Sequence, residues 1–272
     1  MKIHIYGTSA SEGFPALFCE CQYCRTARQR GGKNIRTRAS VQIDENILID
    51  FSPDTYAHVV YGGLNLTEIK YLLVTHSHSD HFYAADLSGI FPPMAVTATE
   101  RKLIVYGNQE IENIMDNTLH SGYKERINFR KVKAFYPFQI DKYTVMPVRA
   151  EHMKDEECYL YIIDSAGKTV LYGQDSAIFP EDTWQELKLW KFDCVIMDCT
   201  SVDQDQYFDC HMGLHDNIRI KERMEREGMA DNQTKFVATH FAHTFAPYHE
   251  RLTELFKPYG IIPAYDGMEI EV

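Results

Sequence analysis

The stretch Ile69-Lys70-Tyr71-Leu72-Leu73-Val74-Thr75-His76-Ser77-His78-Ser79-Asp80-His81 decides how the chain is read. Its first seven residues are an apolar, β-prone run of strand length, and its last six hold four potential metal ligands. Side chains two apart on extended backbone point to the same side, so His76 and His78 address one ion. The turn that follows brings Asp80 and His81 toward a second. Neutral imidazole mixed with carboxylate suits zinc, manganese or iron without strong preference among them.

Working outward, further strands are expected at residues 2–6, 40–43, 46–50, 94–99, 103–106, 144–149, 159–164, 169–172, 194–198, 235–239 and 261–264. Helical periodicity marks residues 108–120, 180–189, 214–227 and 248–256. Strands predominate with helices interspersed, which predicts a layered α/β or α+β fold with sheets at its centre. No Ser/Gly- or Pro-rich linker and no repeat divides residues 1–272, so one domain is expected.

The chain has 272 residues, 44% hydrophobic and 25% charged, which excludes disordered and collagenous classes. No apolar run approaches the ~18–20 residues of a membrane span, and residues 1–7 lack a signal-peptide core. A cytoplasmic protein with no membrane attachment is expected. With 28 basic against 39 acidic residues the net charge is −11, the wrong sign for a chain that grips nucleic-acid phosphates, so no stable nucleic-acid binding is expected. One basic segment stands out: Arg25, Arg28, Arg30, Lys33, Arg36 and Arg38 lie between Cys21 and Ile43 with no acid among them. It reads either as a solvated loop or as an anchor for substrate phosphate.

Seven cysteines are present, three of them crowded into Cys19-Glu20-Cys21-Gln22-Tyr23-Cys24, a spacing that suits a metal better than disulfides. Cys158 and Cys194 lie in apolar runs and are expected as buried, inert thiols.

The His-x-His-x-Asp-His pattern after an apolar strand resembles the metallo-β-lactamase superfamily. The resemblance implies a four-layer αβ/βα sandwich with a dinuclear centre at the rim between two sheets. It also implies a downstream ligand set, found here as His152 in Arg149-Ala150-Glu151-His152, Asp175 in Gly173-Gln174-Asp175, and His240 in Ala238-Thr239-His240. By this resemblance His76, His78 and His152 hold one metal, Asp80, His81 and His240 hold the other, and Asp175 bridges them.

Within that superfamily the chain looks like the phosphoribosyl cyclic phosphate phosphodiesterases of phosphonate breakdown. The match rests on Cys19-x-Cys21-x2-Cys24, Asp198-Cys199-Thr200, Thr239-His240-Phe241-Ala242-His243 and Asp266-Gly267-Met268-Glu269-Ile270; residues 82–150 carry no matching motif. Three thiolates need a fourth ligand to close a tetrahedral zinc site, and His243 is the candidate. Asp50 and Asp198 are expected to orient metal-binding histidines. His211, in Cys210-His211-Met212-Gly213-Leu214-His215, is the expected general acid, with His215 as its rival. His4, His58, His120 and His249 have no ligand neighbourhood and are expected as surface or core residues.

The function implied is a phosphodiesterase in which two divalent ions, manganese or zinc, lower the pKa of a bridging water and clamp phosphoryl oxygens. Asp80 and His211 are its expected catalytic residues, and a structural zinc completes the cofactors. The expected partner is a small phosphorylated substrate, with 5-phosphoribosyl 1,2-cyclic phosphate implied by the resemblance alone, as is a homodimer. The alternatives within the superfamily are a tRNA 3′-processing nuclease, a thioester or lactone hydrolase, and a non-catalytic small-molecule binder like the pyrroloquinoline quinone biosynthesis member.

Overall fold

The computed structural model describes residues 1–98, 100–204, 209–245 and 247–272. In chain order the elements are β1 (Lys2–Gly7), α1 (Gln22–Arg30), β2 (Ser40–Ile43), β3 (Ile47–Ile49), α2 (Thr55–Tyr61), β4 (Tyr71–Leu73), β5 (Leu103–Gly107), α3 (Gln109–Thr118), β6 (Ile127–Lys131) and β7 (Phe138–Ile140). They continue with β8 (Tyr143–Arg149), β9 (Tyr159–Ser165), β10 (Lys168–Gly173), α4 (Glu181–Leu187), β11 (Cys194–Asp198), α5 (Leu214–Arg226), β12 (Lys235–Thr239), α6 (His249–Phe256), β13 (Ile261–Pro263) and β14 (Met268–Glu271).

Among the described residues the strands form two seven-stranded sheets, ordered β14-β1-β2-β3-β4-β5-β6 and β13-β12-β11-β10-β9-β8-β7. Each sheet is antiparallel at one end and parallel at the other: β3 to β6 run parallel in the first, β10 to β13 in the second. Strand residues alternate between faces, and here both faces are covered. Ile47, Ile49 and Leu73 point inward to meet Ile163, Val170, Tyr172 and Ile196 of the other sheet. Leu48, Leu72 and Val105 point outward under Ile111 and Met115 of α3. On the far side Leu171, Val195 and Met197 meet Trp184 and Leu187 of α4, Ile220 and Met224 of α5, and Leu252 and Phe256 of α6. The layers are therefore helix, sheet, sheet, helix, as expected for the αβ/βα sandwich. Each fully buried Leu, Ile or Phe contributes about 1.5–3 kcal/mol, so the three clusters carry most of the fold's stability.

Three strands lie outside the sequence expectation: β6, β7 and β14 each sit at a sheet edge, where one flank is solvent and the apolar signal is weak. α1 was expected only as basic chain; it buries just Cys24 and Ala27, too few for a helical stripe, and starts where the Cys21 side chain accepts from Cys24 N–H. α2 was also unexpected, a short helix with Tyr56 and Tyr61 exposed. The expected strand at 94–99 is corrected: residues 94–98 pair with no strand, Met94 and Val96 are exposed, and Thr99 lies outside the described residues.

Candidate metal centre

Strand direction explains how distant ligands meet. β8, β10, β11 and β12 run the same way, and the segments after their C-terminal ends supply His152, Asp175, Thr200 and His240. The segment after β4 supplies His76 to His81, and the turn after β1 adds Ala10, Ser11 and Glu12 to the same rim. Ligands collect outside the carboxyl ends of strands in such folds. Gly7 makes the last turn possible, because a Cβ there would lie 1.8 Å from the Arg38 carbonyl oxygen.

Two candidate ligand groups result, each with its donor atoms within 4.8 Å of one another: His76, His78 and His152, and Asp80, His81, Asp175 and His240. In the first, His78 Nδ1 lies 2.9 Å from His76 Nε2 and 3.1 Å from His152 Nε2. In the second, Asp175 Oδ2 lies 2.6 Å from His81 Nε2, and its Oδ1 lies 2.9 Å from His240 Nδ1. The same Oδ2 stands 3.4 Å from His76 Nε2, so Asp175 adjoins both groups.

The donor set fits divalent metal. His81 Nε2 and His240 Nε2 are buried without a hydrogen bond, although Asp175 Oδ2 approaches His81 Nε2 to 2.6 Å. Burial pulls His81 and His240 toward neutrality, but Asp175 outweighs it, holding His81 well above the ordinary imidazole range and pushing His240 up to about 10.

Two matching devices fix the ring tautomers. Asp50 Oδ1 accepts from Thr75 N–H and from the Thr75 hydroxyl, both at 2.9 Å. That hydroxyl has spent its only proton, so His76 Nδ1, 3.0 Å away, must donate to it, which leaves His76 Nε2 free for the centre. On the other side Asp198 Oδ1 accepts from Thr200 N–H and the Thr200 hydroxyl at 2.9 Å, and that hydroxyl lies 2.9 Å from His240 Nδ1. Asp50 Oδ2 also faces His81 Nδ1 at 2.8 Å, and Asp198 Oδ2 faces His211 Nδ1 at 2.7 Å. Sequence reading reached Asp50 and Asp198 but missed Thr75 and Thr200, although each stands beside a quoted motif.

Asp50, Asp175 and His240 have positive φ of 63°, 54° and 60°. Asp and His tolerate this left-handed region better than most residues, at a cost of order 1–3 kcal/mol each. The strands thus turn abruptly where they deliver their ligands.

His211 lines a cavity of about 410 Å³ over the second group, together with Ser11, Glu12, Asp80, Thr200 and Thr244. Burial lowers its basicity, but Asp198 more than compensates and raises it above the ordinary value. His215 instead stands exposed on the first turn of α5 and does not line the cavity.

Cys19, Cys21, Cys24 and His243 bring their ligand atoms within 4.8 Å of one another. His243 Nε2 lies 3.5 Å from Cys19 Sγ, and its Nδ1 lies 3.0 Å from Glu12 Oε1, which fixes the tautomer. Cys158 and Cys194 are buried, and burial pushes both thiols up to about 12. The basic segment does not face the centre, and no Lys or Arg is among the described residues lining the cavity. Arg28 donates to Cys19 O and Ala16 O, Arg38 donates to Ser11 O at 2.8 Å and pairs with Asp54 at 3.0 Å, and Arg36 lies buried between Phe14 and Phe241. Arg28 and Arg38 thus hold the 11–21 loop through its carbonyls, while Arg36 donates to Pro247 O at 2.7 Å. Of the four remaining histidines, His58 and His249 are buried, His4 stacks on Tyr6 at 4.1 Å and His120 is exposed. No described helix is long and apolar enough to cross a membrane.

Solved structures of similar shape include a diphosphatase of the PhnP family (TM-score 0.77, 23% identity, 100% of this chain and 97% of that one). PqqB from Methylobacterium extorquens, a Zn(2+)-bound structure, follows at TM-score 0.69, 17% identity and full coverage of both chains. The human short-form tRNase Z gives TM-score 0.67 at 15% identity, covering 100% of this chain and 99% of that one. Among curated proteins, Ribonuclease Z of Methanococcus aeolicus is 27% identical over 146 residues, 50% of this chain and 44% of that protein. Coenzyme PQQ synthesis protein B of Bradyrhizobium diazoefficiens is 27% identical over 128 residues, 43% of this chain and 41% of that protein. The chain thus matches less than half the length of these two relatives. Residues 45–241 match the Beta-lactamase superfamily domain, a span that reaches from the strand before Asp50 to just past His240. With that match and the four-layer arrangement of its sheets, the chain belongs to the beta-lactamase superfamily.

Proposed function

We propose that the protein is a metal-dependent hydrolase that uses two divalent ions, manganese or zinc, to cleave a small cyclic phosphodiester. The observation that carries this reading is Asp175, whose one carboxylate adjoins His76, His81 and His240 and so joins two complete ligand groups. Two ions held there would supply a deprotonated water near neutral pH and neutralise charge on the phosphoryl oxygens. His76, His78 and His152 would hold one, and Asp80, His81 and His240 the other, with Asp175 shared.

The protein's own groups do the rest. Asp198 holds the His211 Nδ1 proton and favours the charged ring, so His211 is suited to protonate a leaving alkoxide from the cavity wall. Ser11 and Thr244 add hydroxyls to that wall. The Cys19, Cys21, Cys24 and His243 set is proposed to hold a third, structural zinc that orders the loop carrying Ser11 and Glu12.

The likeness to a PhnP-family diphosphatase over the whole chain supports phosphorus chemistry. The Ribonuclease Z relatives favour a second reading, RNA processing, but a net charge of −11 and a cavity wall without Lys or Arg weigh against a polyanion. The deciding experiment presents 5-phosphoribosyl 1,2-cyclic phosphate, a precursor tRNA, a thioester and a lactone to the same metal-loaded protein. The proposal expects turnover of the cyclic phosphate at the highest kcat/KM. Preference for tRNA supports the nuclease, and preference for the thioester or lactone overturns phosphodiester chemistry.

A further inference from the structure

His76 and His78 come from the first sheet and His152 from the loop between β8 and β9 of the second. Their mutual geometry therefore depends on how that loop is fastened. Most of it is exposed: Glu151, Lys154, Asp155 and Glu157 all face solvent, and Cys158 is buried only where β9 begins.

Beside His152 the loop is held within its own half, where Glu151 N–H donates to Ser176 Oγ at 2.9 Å, Glu151 O accepts from Ala177 N–H and His152 Nδ1 lies 3.3 Å from Cys210 O; the side chain that reaches across to Ser77 is Glu156. Glu156 Oε1 accepts from Ser77 N–H at 2.9 Å and from Asn108 Nδ2, and Glu156 Oε2 accepts from the Ser77 hydroxyl. Ser77 is the residue between His76 and His78. Asn108 is buried, caps α3 by accepting from Ile111 N–H at 3.1 Å, and donates a second bond to Glu157 O at 3.0 Å. A single carboxylate thus ties the His76–His78 turn and the start of α3 to the loop that carries His152. It makes no hydrogen bond to Asp80, His81, Asp175 or His240.

We propose that Glu156 is a positioning residue for the His76, His78 and His152 metal group, acting through Ser77, and that it does not serve the second group. The inference rests on reading the three histidines as a metal site. Removing a partner that orients metal ligands costs about 10–100-fold in metal affinity. Glu156→Ala removes all three bonds, whereas Glu156→Gln keeps an oxygen for Ser77 N–H and Asn108 and offers its amide to the Ser77 oxygen.

The test is chelator-competition titration of metal-free protein with zinc, with His78→Ala marking which binding step belongs to the three histidines. Glu156→Ala is expected to weaken that step about 10–100-fold and leave the other steps unchanged, with Glu156→Gln close to the wild type. Thermal unfolding of the metal-free variants separates this from failure to fold. Superimposable wild-type and Glu156→Ala isotherms overturn the proposal, as does equal weakening of every step. Wild-type protein with no step sensitive to His78→Ala overturns the metal reading itself, a result distinguishable from either.

Discussion

Asp175 Oδ2 lies 2.6 Å from His81 Nε2, which is buried without an aligned hydrogen bond, and both residues are buried. The same carboxylate reaches His76 and His240, so the two ligand groups share one anion. Asp175→Ala is expected to weaken both metal steps by more than the ~10–100-fold that loss of an outer partner costs. Metal per chain, measured after dialysis, checks this. Retention of both ions would show that Asp175 is not shared between them.

His211 and Asp198 form the acid arm of the account. His211→Ala is expected to lower kcat about 10²–10⁴-fold for a diester with an alkyl leaving group. For a nitrophenyl leaving group, which departs without a proton, the loss should be far smaller. Equal losses on both substrates would assign His211 to binding rather than proton transfer.

The candidate ligands could be picked out in the sequence because they cluster after strands: four within residues 76–81, and His152, Asp175 and His240 each just past an apolar run. The layers were legible for the same reason, since β10, β11 and β12 are buried on both faces and read as continuous apolar runs. What stayed hidden was set by tertiary contact. Glu156 meets Ser77 across 79 positions of chain and Asn108 across 48, and nothing local marks them. The left-handed turns at Asp50, Asp175 and His240 leave no compositional sign because the residues there are not glycine. The arginines between Cys21 and Ile43 read as a basic patch; only the folded loop shows the donors of Arg28 and Arg38 turned to carbonyls.

The cysteine set should be separable from the His and Asp groups. Cys24 is fully buried beside Phe14, Ala16 and Ala27. Cys24→Ser is expected to release one metal per chain and destabilise the protein by about 4 kcal/mol or more, the range of a lost structural metal. The other two ions should remain. Unchanged metal content would remove the structural zinc from the account.

His58 gives a pH dependence away from the metal centre. Burial pushes it down to about 4, against an ordinary value of 6.5. The unfolded chain therefore takes up this proton first, so stability falls as pH drops from 6.5 to 4, by up to about 3 kcal/mol. His58→Gln in metal-free protein should shrink the stability difference between pH 7 and pH 4 by that amount, read from urea unfolding. An unchanged difference would show that His58 is not buried as a neutral ring.

The most direct test of the central claim is hydrolysis of a chromogenic phosphodiester by manganese- or zinc-loaded protein, run beside Asp80→Ala. The account predicts turnover that requires the metal and disappears in Asp80→Ala. Absence of turnover in wild-type protein with both ions demonstrably bound, or activity that survives in Asp80→Ala, would contradict it.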